Sequence, residues 1–139
     1  MIPFLENWPD QLDIFNECQR TTPFEWGKND CCLFAANWVA LATGHDPAAT
    51  YRGSYRSALG AARHLRKAGG IIAVADAQLT PFAVTRCQPA FAGRGSVVVA
   101  EVDKRLALGV SYGDKGLFIS PEGTVWLPTS QFITGWRPL

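Results

Sequence analysis

The run from Cys31 to Thr43, set between Asp30 and Gly44, restricts the fold more than any other feature of the chain. Cys31, Cys32, Leu33, Phe34, Ala35, Ala36, Trp38, Val39, Ala40, Leu41 and Ala42 leave almost no polar face. A helix of this kind must be covered on most sides by other elements. It is too short to be a membrane span, which needs roughly 18 apolar residues, and no other stretch comes closer. Asp30 suits an N-cap and Gly44 a stop, so a central helix is expected over 31–43. With 139 residues, 47% of them hydrophobic, the chain can bury such a helix within one domain, taken as 1–139.

The flanking segments say what covers it. Trp8, Leu12, Phe15 and Cys18 recur at helical spacing, with Pro9 at a first helical position, which predicts an amphipathic helix over Pro9–Arg20. Phe24 to Asn29 reads as a loop with two large aromatics. A third helix is expected over Ser54–Ala68, with Tyr55, Ala58, Leu59, Ala62 and Leu65 on one side. Arg52, Arg56, Arg63 and Lys67 form a solvated basic stripe on the other, and Gly69-Gly70 ends the helix. From Ile71 to Gln88 the expectation is an irregular connection with one short strand or turn of helix. Val97–Val102, Arg105–Tyr112, Gly116–Ser120 and Thr124–Leu127, separated by polar and glycine-containing turns, predict an antiparallel meander, and Trp136 is expected to anchor the C-terminal segment in the core. Helices first and a meander afterwards make an α+β layout with the sheet's apolar face on the central helix.

A net charge of +1, with both signs spread along the chain, argues against nucleic acid as a partner. The opening residues Met1 to Asp10 lack a basic segment followed by an apolar run, so no targeting segment and no membrane span are expected. Cys18, Cys31, Cys32 and Cys87 show no C-x-x-C spacing; free thiols are the expectation, with Cys18 and Cys87 as buried small hydrophobes. A four-thiolate metal site fits by count but not by spacing, and no metal or cofactor is expected.

Cys31 carries the chemistry. A thiol in the first turn of a helix meets the positive end of the helix dipole and unpaired N–H groups, which favour the nucleophilic thiolate. The alternative is that Cys31 and Cys32 simply fill a crowded helix start beside Trp26 and Phe34.

Phe24-x-Trp26-Gly27-x-x-Asp30-Cys31-Cys32-x-Phe34 at the start of a buried helix, with a β meander following, resembles the NlpC-type branch of the papain-like cysteine peptidases. In that family an Asp-Cys-Ser-Gly element opens the helix, and its cysteine attacks an amide carbon of a peptidoglycan peptide. Asp30 and Cys31 match, while Cys32 and Leu33 replace the serine and glycine. The resemblance implies a papain-like fold with Cys31 at the nucleophile position. The family's histidine opens a strand of the type His-Val-Gly-Ile-Tyr-x-Gly; Ala107-Leu108-Gly109-Val110-Ser111-Tyr112-Gly113 matches it with alanine in the histidine's place. For the polar residue that orients the imidazole, the next strand offers Phe118, Ile119 and Ser120.

Neither histidine of the chain is a ready substitute. His45 follows the helix that Cys31 opens, and the intervening fourteen residues at about 1.5 Å each put it about 20 Å away. His64 falls on the third helix, where a solvated role is expected. Without a base, a thiol of ordinary pKa is only a few per cent ionised at about neutral pH, and no acid protonates the leaving amine. The expectation is therefore an inactive scaffold.

A closer likeness is to short tail proteins of bacteriophages and related prophages, themselves similar to inactive NlpC-type domains. The shared features are Trp26-Gly27, Asp30-Cys31-Cys32-x-Phe34-Ala35-Ala36, Thr43-Gly44-x-Asp46-Pro47, Arg52-Gly53-x-Tyr55, Gly69-Gly70, Leu108-Gly109-Val110 and Trp136-Arg137. This resemblance implies a place in the virion at the tail tip or baseplate, with the host cytoplasm as the site of assembly. The central hub protein and other tail-tip proteins would be its partners, contacted through Ala48–Gly53, Ile71–Gln88 and the basic helix face. The competing expectation is an active peptidoglycan peptidase or amidase with Cys31 as nucleophile and a base from His64 or a neighbouring protein.

Overall fold

The computed structural model describes all residues, Met1–Leu139. Four helices, α1 (Trp8–Gln19), α2 (Leu33–Thr43), α3 (Ala58–Ala68) and α4 (Ile71–Leu79), accompany six strands. The strands are β1 (Val84–Cys87), β2 (Val97–Val102), β3 (Arg105–Ser111), β4 (Lys115–Ser120), β5 (Gly123–Pro128) and β6 (Thr134–Pro138). They form one antiparallel sheet in the order β1-β6-β2-β3-β4-β5. The α+β class and the central position of α2 are as expected, and no helix is long and apolar enough to cross a membrane.

Helix α2 is central because its sequence has no face to leave in water: Leu33, Phe34, Trp38, Val39 and Ala42 are buried. Burying each of the larger apolar side chains contributes about 1.5–3 kcal/mol. Phe15 of α1 packs against Phe34 and Trp38 with ring centroids 5.1 and 5.8 Å apart. The Trp38 indole N–H, which would be costly to bury alone, donates to the Gly95 carbonyl at 2.9 Å. On the other side α2 meets Val97, Val99, Leu108, Val110, Leu117 and Ile119 of the sheet.

The sheet's opposite face is covered as well. Val98, Ala100, Ala107 and Phe118 pack with Ala92 and Phe132, which the short helical turns at Pro89–Phe91 and Thr129–Gln131 bring over that face. Hence β2, β3 and β4 each carry runs of consecutive buried residues, whereas edge strand β5 alternates. Gly109 is needed where β3 crosses β4, because a Cβ there would strike the Phe118 ring and the Leu117 carbonyl.

Several sequence expectations need correction. Helix α2 begins at Leu33, so Cys31 lies just before the helix and Cys32 takes the N-cap position. Helix α3 begins at Ala58, because Ser57 is extended and its Oγ accepts the Gly60 N–H, which leaves Tyr55 and Arg56 in the approach loop. Arg52 belongs to no helical stripe; it makes a two-pronged ion pair with Asp46, whose carboxyl is held below its usual range despite partial burial. Ile71–Gln88 is no irregular connection but α4 followed by β1, with Ile71, Val74, Ala75 and Leu79 buried and Asp76, Ala77, Thr80 and Pro81 exposed. The Ala48–Gly53 turn, by contrast, buries only Ala48 and leaves Ala49, Thr50 and Gly53 exposed. Trp136 is an anchor as expected, but it sits within a strand, β6, inserted between β1 and β2, with its indole N–H on Asp76 at 2.8 Å.

Candidate functional site

The approach to α2 is organised by a carboxylate with no exposed surface. Asp30 Oδ1 accepts the Cys32 and Leu33 N–H groups at 2.9 and 3.0 Å. Its Oδ2 accepts the Gly27 N–H at 2.9 Å and the Tyr55 hydroxyl at 2.7 Å. No lysine or arginine pairs with it. Four donors and the positive end of α2 compensate the buried charge instead. The Asp30 carbonyl also accepts the Phe34 N–H, so the helical bonding starts there. Gly27 makes the loop possible: its φ is +83°, and a Cβ would run into the Tyr55 carbonyl.

Cys31 is half-buried and Cys32 fully buried. The Cys31 thiol is held below its ordinary range, first because it receives a hydrogen bond from Cys32, then through backbone hydrogen bonding and Arg105, against the opposing effects of burial and Asp30. The Cys32 thiol is pushed far up by that same hydrogen bond, by burial and by Asp30, and keeps its proton. Depression of the Cys31 thiol thus comes mainly from the neighbouring thiol rather than from a place inside the helix, since Cys31 lies ahead of Leu33.

Cys31 also wedges the sheet open. Strands β3 and β4 pair only at Val110–Leu117 and Ser111–Gly116, and toward Arg105 they diverge. In the gap the Cys31 carbonyl accepts the Leu108 N–H at 2.8 Å. A cavity of about 350 Å³ opens there, lined by Cys31, Ala107 and Ser120 together with Phe24, Trp26 and Arg105. The three positions that the resemblance singled out therefore meet in one cleft. A second lobe of about 600 Å³ runs on along α3, sharing Trp26, Cys31, Ala58, Arg105 and Leu106 with the first.

No imidazole borders either lobe. His64 is not simply solvated: it packs edge-on or tilted against the rings of Tyr51 and Tyr55, with centroids 5.1 and 5.4 Å away. His45 lies past Gly44 at the opposite end of α2, its Nδ1 3.3 Å from the Thr43 carbonyl. Ser120 Oγ donates to the Gly123 carbonyl at 3.0 Å and lies 3.2 Å from the Glu122 carboxylate. The Tyr55 hydroxyl is pushed well up by burial and by Asp30, so it acts as a donor to Asp30 and not as a base.

Cys18, expected to be buried, is exposed on α1, while Cys87 is half-buried with its thiol raised by burial. Donor atoms of Asp30, Cys31 and Cys32 lie within 4.8 Å of one another, but both Asp30 oxygens are already engaged, and Cys18 and Cys87 stand outside the group. The helical spacing that predicts Tyr55 within the third helix conceals it as the fourth donor, and Arg105 is not marked by periodicity as a cleft residue. An arginine opening an apolar strand directly after Asp103-Lys104 is the available signal for the latter.

No curated protein matches the chain. A family profile does match, over residues 4–138, nearly the whole fold just described, and the chain belongs to that family, described as a domain of unknown function, DUF6950.

Proposed function

We propose that this domain is a structural or assembly component of a bacteriophage tail tip or baseplate hub, built on an NlpC-like, papain-like scaffold that no longer hydrolyses peptides. One observation supports the second half of that reading above all: the cleft at Cys31 is bordered by Ala107 and Ser120 and by no imidazole. Amide hydrolysis needs a thiolate to attack the carbonyl carbon and a proton for the departing amine. Cys32 assists the first requirement through its hydrogen bond. No imidazole lines the cleft to meet the second, and Asp30, beside Cys31, is already engaged by four donors. The tail location rests on the sequence resemblance to phage tail proteins; the central hub and other tail-tip proteins are the proposed partners.

Counting copies of the protein in purified particles and in tail intermediates tests the location. A fixed stoichiometry is expected, and absence from both would overturn it. The lowered Cys31 thiol favours a second reading, an active peptidoglycan peptidase or amidase. Muropeptide release by wild-type and Cys31→Ala particles separates the two: equal release is expected, and a loss confined to Cys31→Ala would restore the enzyme.

A further inference from the structure

The two lobes joined at Cys31 carry an unbalanced charge on apolar walls. Arg66 lines the lobe along α3, and Arg105 lies where the lobes join. Neither guanidinium forms an ion pair or a side-chain hydrogen bond, although five other ion pairs occur on this surface. Asp103, at the outer end of the first lobe, is the one carboxylate lining either. Leu59 and Leu106 stand 62% and 40% exposed beside these cations. An apolar surface set with unpaired cations complements an apolar ligand bearing carboxylates.

A backbone feature selects the form of that ligand. Residues of β3 alternate between bonding toward β2 and toward β4. Leu108 directs its N–H toward the β4 side, where Cys31 takes it, and Leu106 shares that side by parity. The β3–β4 ladder stops at Val110, so Leu106 meets no strand there. An unpaired strand position inside a cleft offers an added extended chain a main-chain partner.

We propose that the cleft docks an extended, acidic segment of a partner protein, its main chain pairing with β3 at Leu106, its carboxylates meeting Arg66 and Arg105, and its apolar side chains lying on Leu59 and Trp26. This rests on the cleft being non-hydrolytic, and the test keeps the two claims apart.

Cys31 sits at the junction of the lobes and reports occupancy. Its rate of alkylation by iodoacetamide, identified by peptide mapping, is measured on the whole protein with a short blocked peptide of alternating leucine and glutamate. The leucine–lysine counterpart and purified muropeptides serve as comparators. The acidic peptide is expected to slow alkylation of Cys31 by about fivefold or more, with the protection fading as salt is added. The lysine peptide leaves the rate unchanged. In the Arg66→Glu, Arg105→Glu double variant, each rate being referred to that variant without peptide, the preference is expected to invert. Equal protection by both peptides, protection by neither, or protection by muropeptides alone overturns the proposal. An acidic peptide that protects Cys31 and is recovered cleaved would support docking while sinking the non-hydrolytic function.

Discussion

On the α2 side of the cleft, Asp30 spends every acceptor position on the loop that delivers Cys31, and the neighbouring Cys32 thiol lowers that of Cys31. On the strand side, Ala107 and Ser120 offer one methyl group and one hydroxyl already engaged with its own turn. The scaffold thus holds the thiol side of the cleft firmly and sets only a methyl group and an engaged hydroxyl on the other. The difference follows from what each side does for folding. Asp30 ties Gly27, Tyr55 and the start of α2 together, so it is needed whether or not Cys31 reacts. An imidazole at position 107 would serve no fold contact; a small side chain there packs among Val98, Ala100 and Phe118.

The comparison is broken most severely by removing its anchor. Asp30→Ala leaves four donors to find other partners inside the protein and is expected to cost about 3–5 kcal/mol, read as a lowered urea midpoint. A loss below about 1 kcal/mol would show that water replaces the carboxylate and that the loop is not organised by it. Gly27→Ala attacks the same loop through its backbone. The positive φ and the collision with the Tyr55 carbonyl set the expected loss at about 2 kcal/mol. A thermal melt indistinguishable from wild type would mean that the loop can be rebuilt.

The opposite experiment supplies what the strand side lacks. Ala107→His places an imidazole in the lining of the cavity that Cys31 shares, and a thiolate–imidazolium pair is expected to increase the thiolate fraction just below neutral pH about tenfold. Ultraviolet thiolate absorbance followed against pH reads this directly. An unchanged titration would show that position 107 does not face the sulfur, and the carry-over of the histidine position from the resemblance would fail.

How far the sequence foretold this arrangement depends on how local each signal was. The lack of polar positions in 31–43 announced a covered helix, and short apolar segments divided by polar and glycine-containing turns announced β2 to β5 within a residue or two. Strand β6 escaped because Val97 finds Trp136 far along the chain, and no local pattern records such a partner. Helix α4 escaped because Ile71-Ile72-Ala73-Val74 is apolar at every phase, so periodicity cannot tell helix from strand there. At the site, Cys31 is legible from its place at the start of the apolar run, and Ala107 and Ser120 from the resemblance alone. Arg105, Leu106 and Tyr55 are not, because their roles depend on where β3 leaves β4 and on where α3 begins, and both are matters of tertiary packing.

The finest distinction lies within the cysteine pair, and Cys32→Ala isolates it. The Cys31 thiol is lowered chiefly by the hydrogen bond from Cys32, while burial and Asp30 push the other way. Deleting the donor leaves those opposing effects less resisted, so the Cys31 thiol must rise. Thiolate is the form that alkylates, so the profile of rate against pH should move to higher pH, with the rate near neutrality falling about threefold to tenfold. Cys32→Ser retains a hydroxyl donor and should recover most of the rate, a rescue that loss of packing alone would not produce. If alanine and serine shift the profile equally, the backbone and Arg105 are what hold the thiol down, and the α2 side owes its reactivity to the loop rather than to the second cysteine.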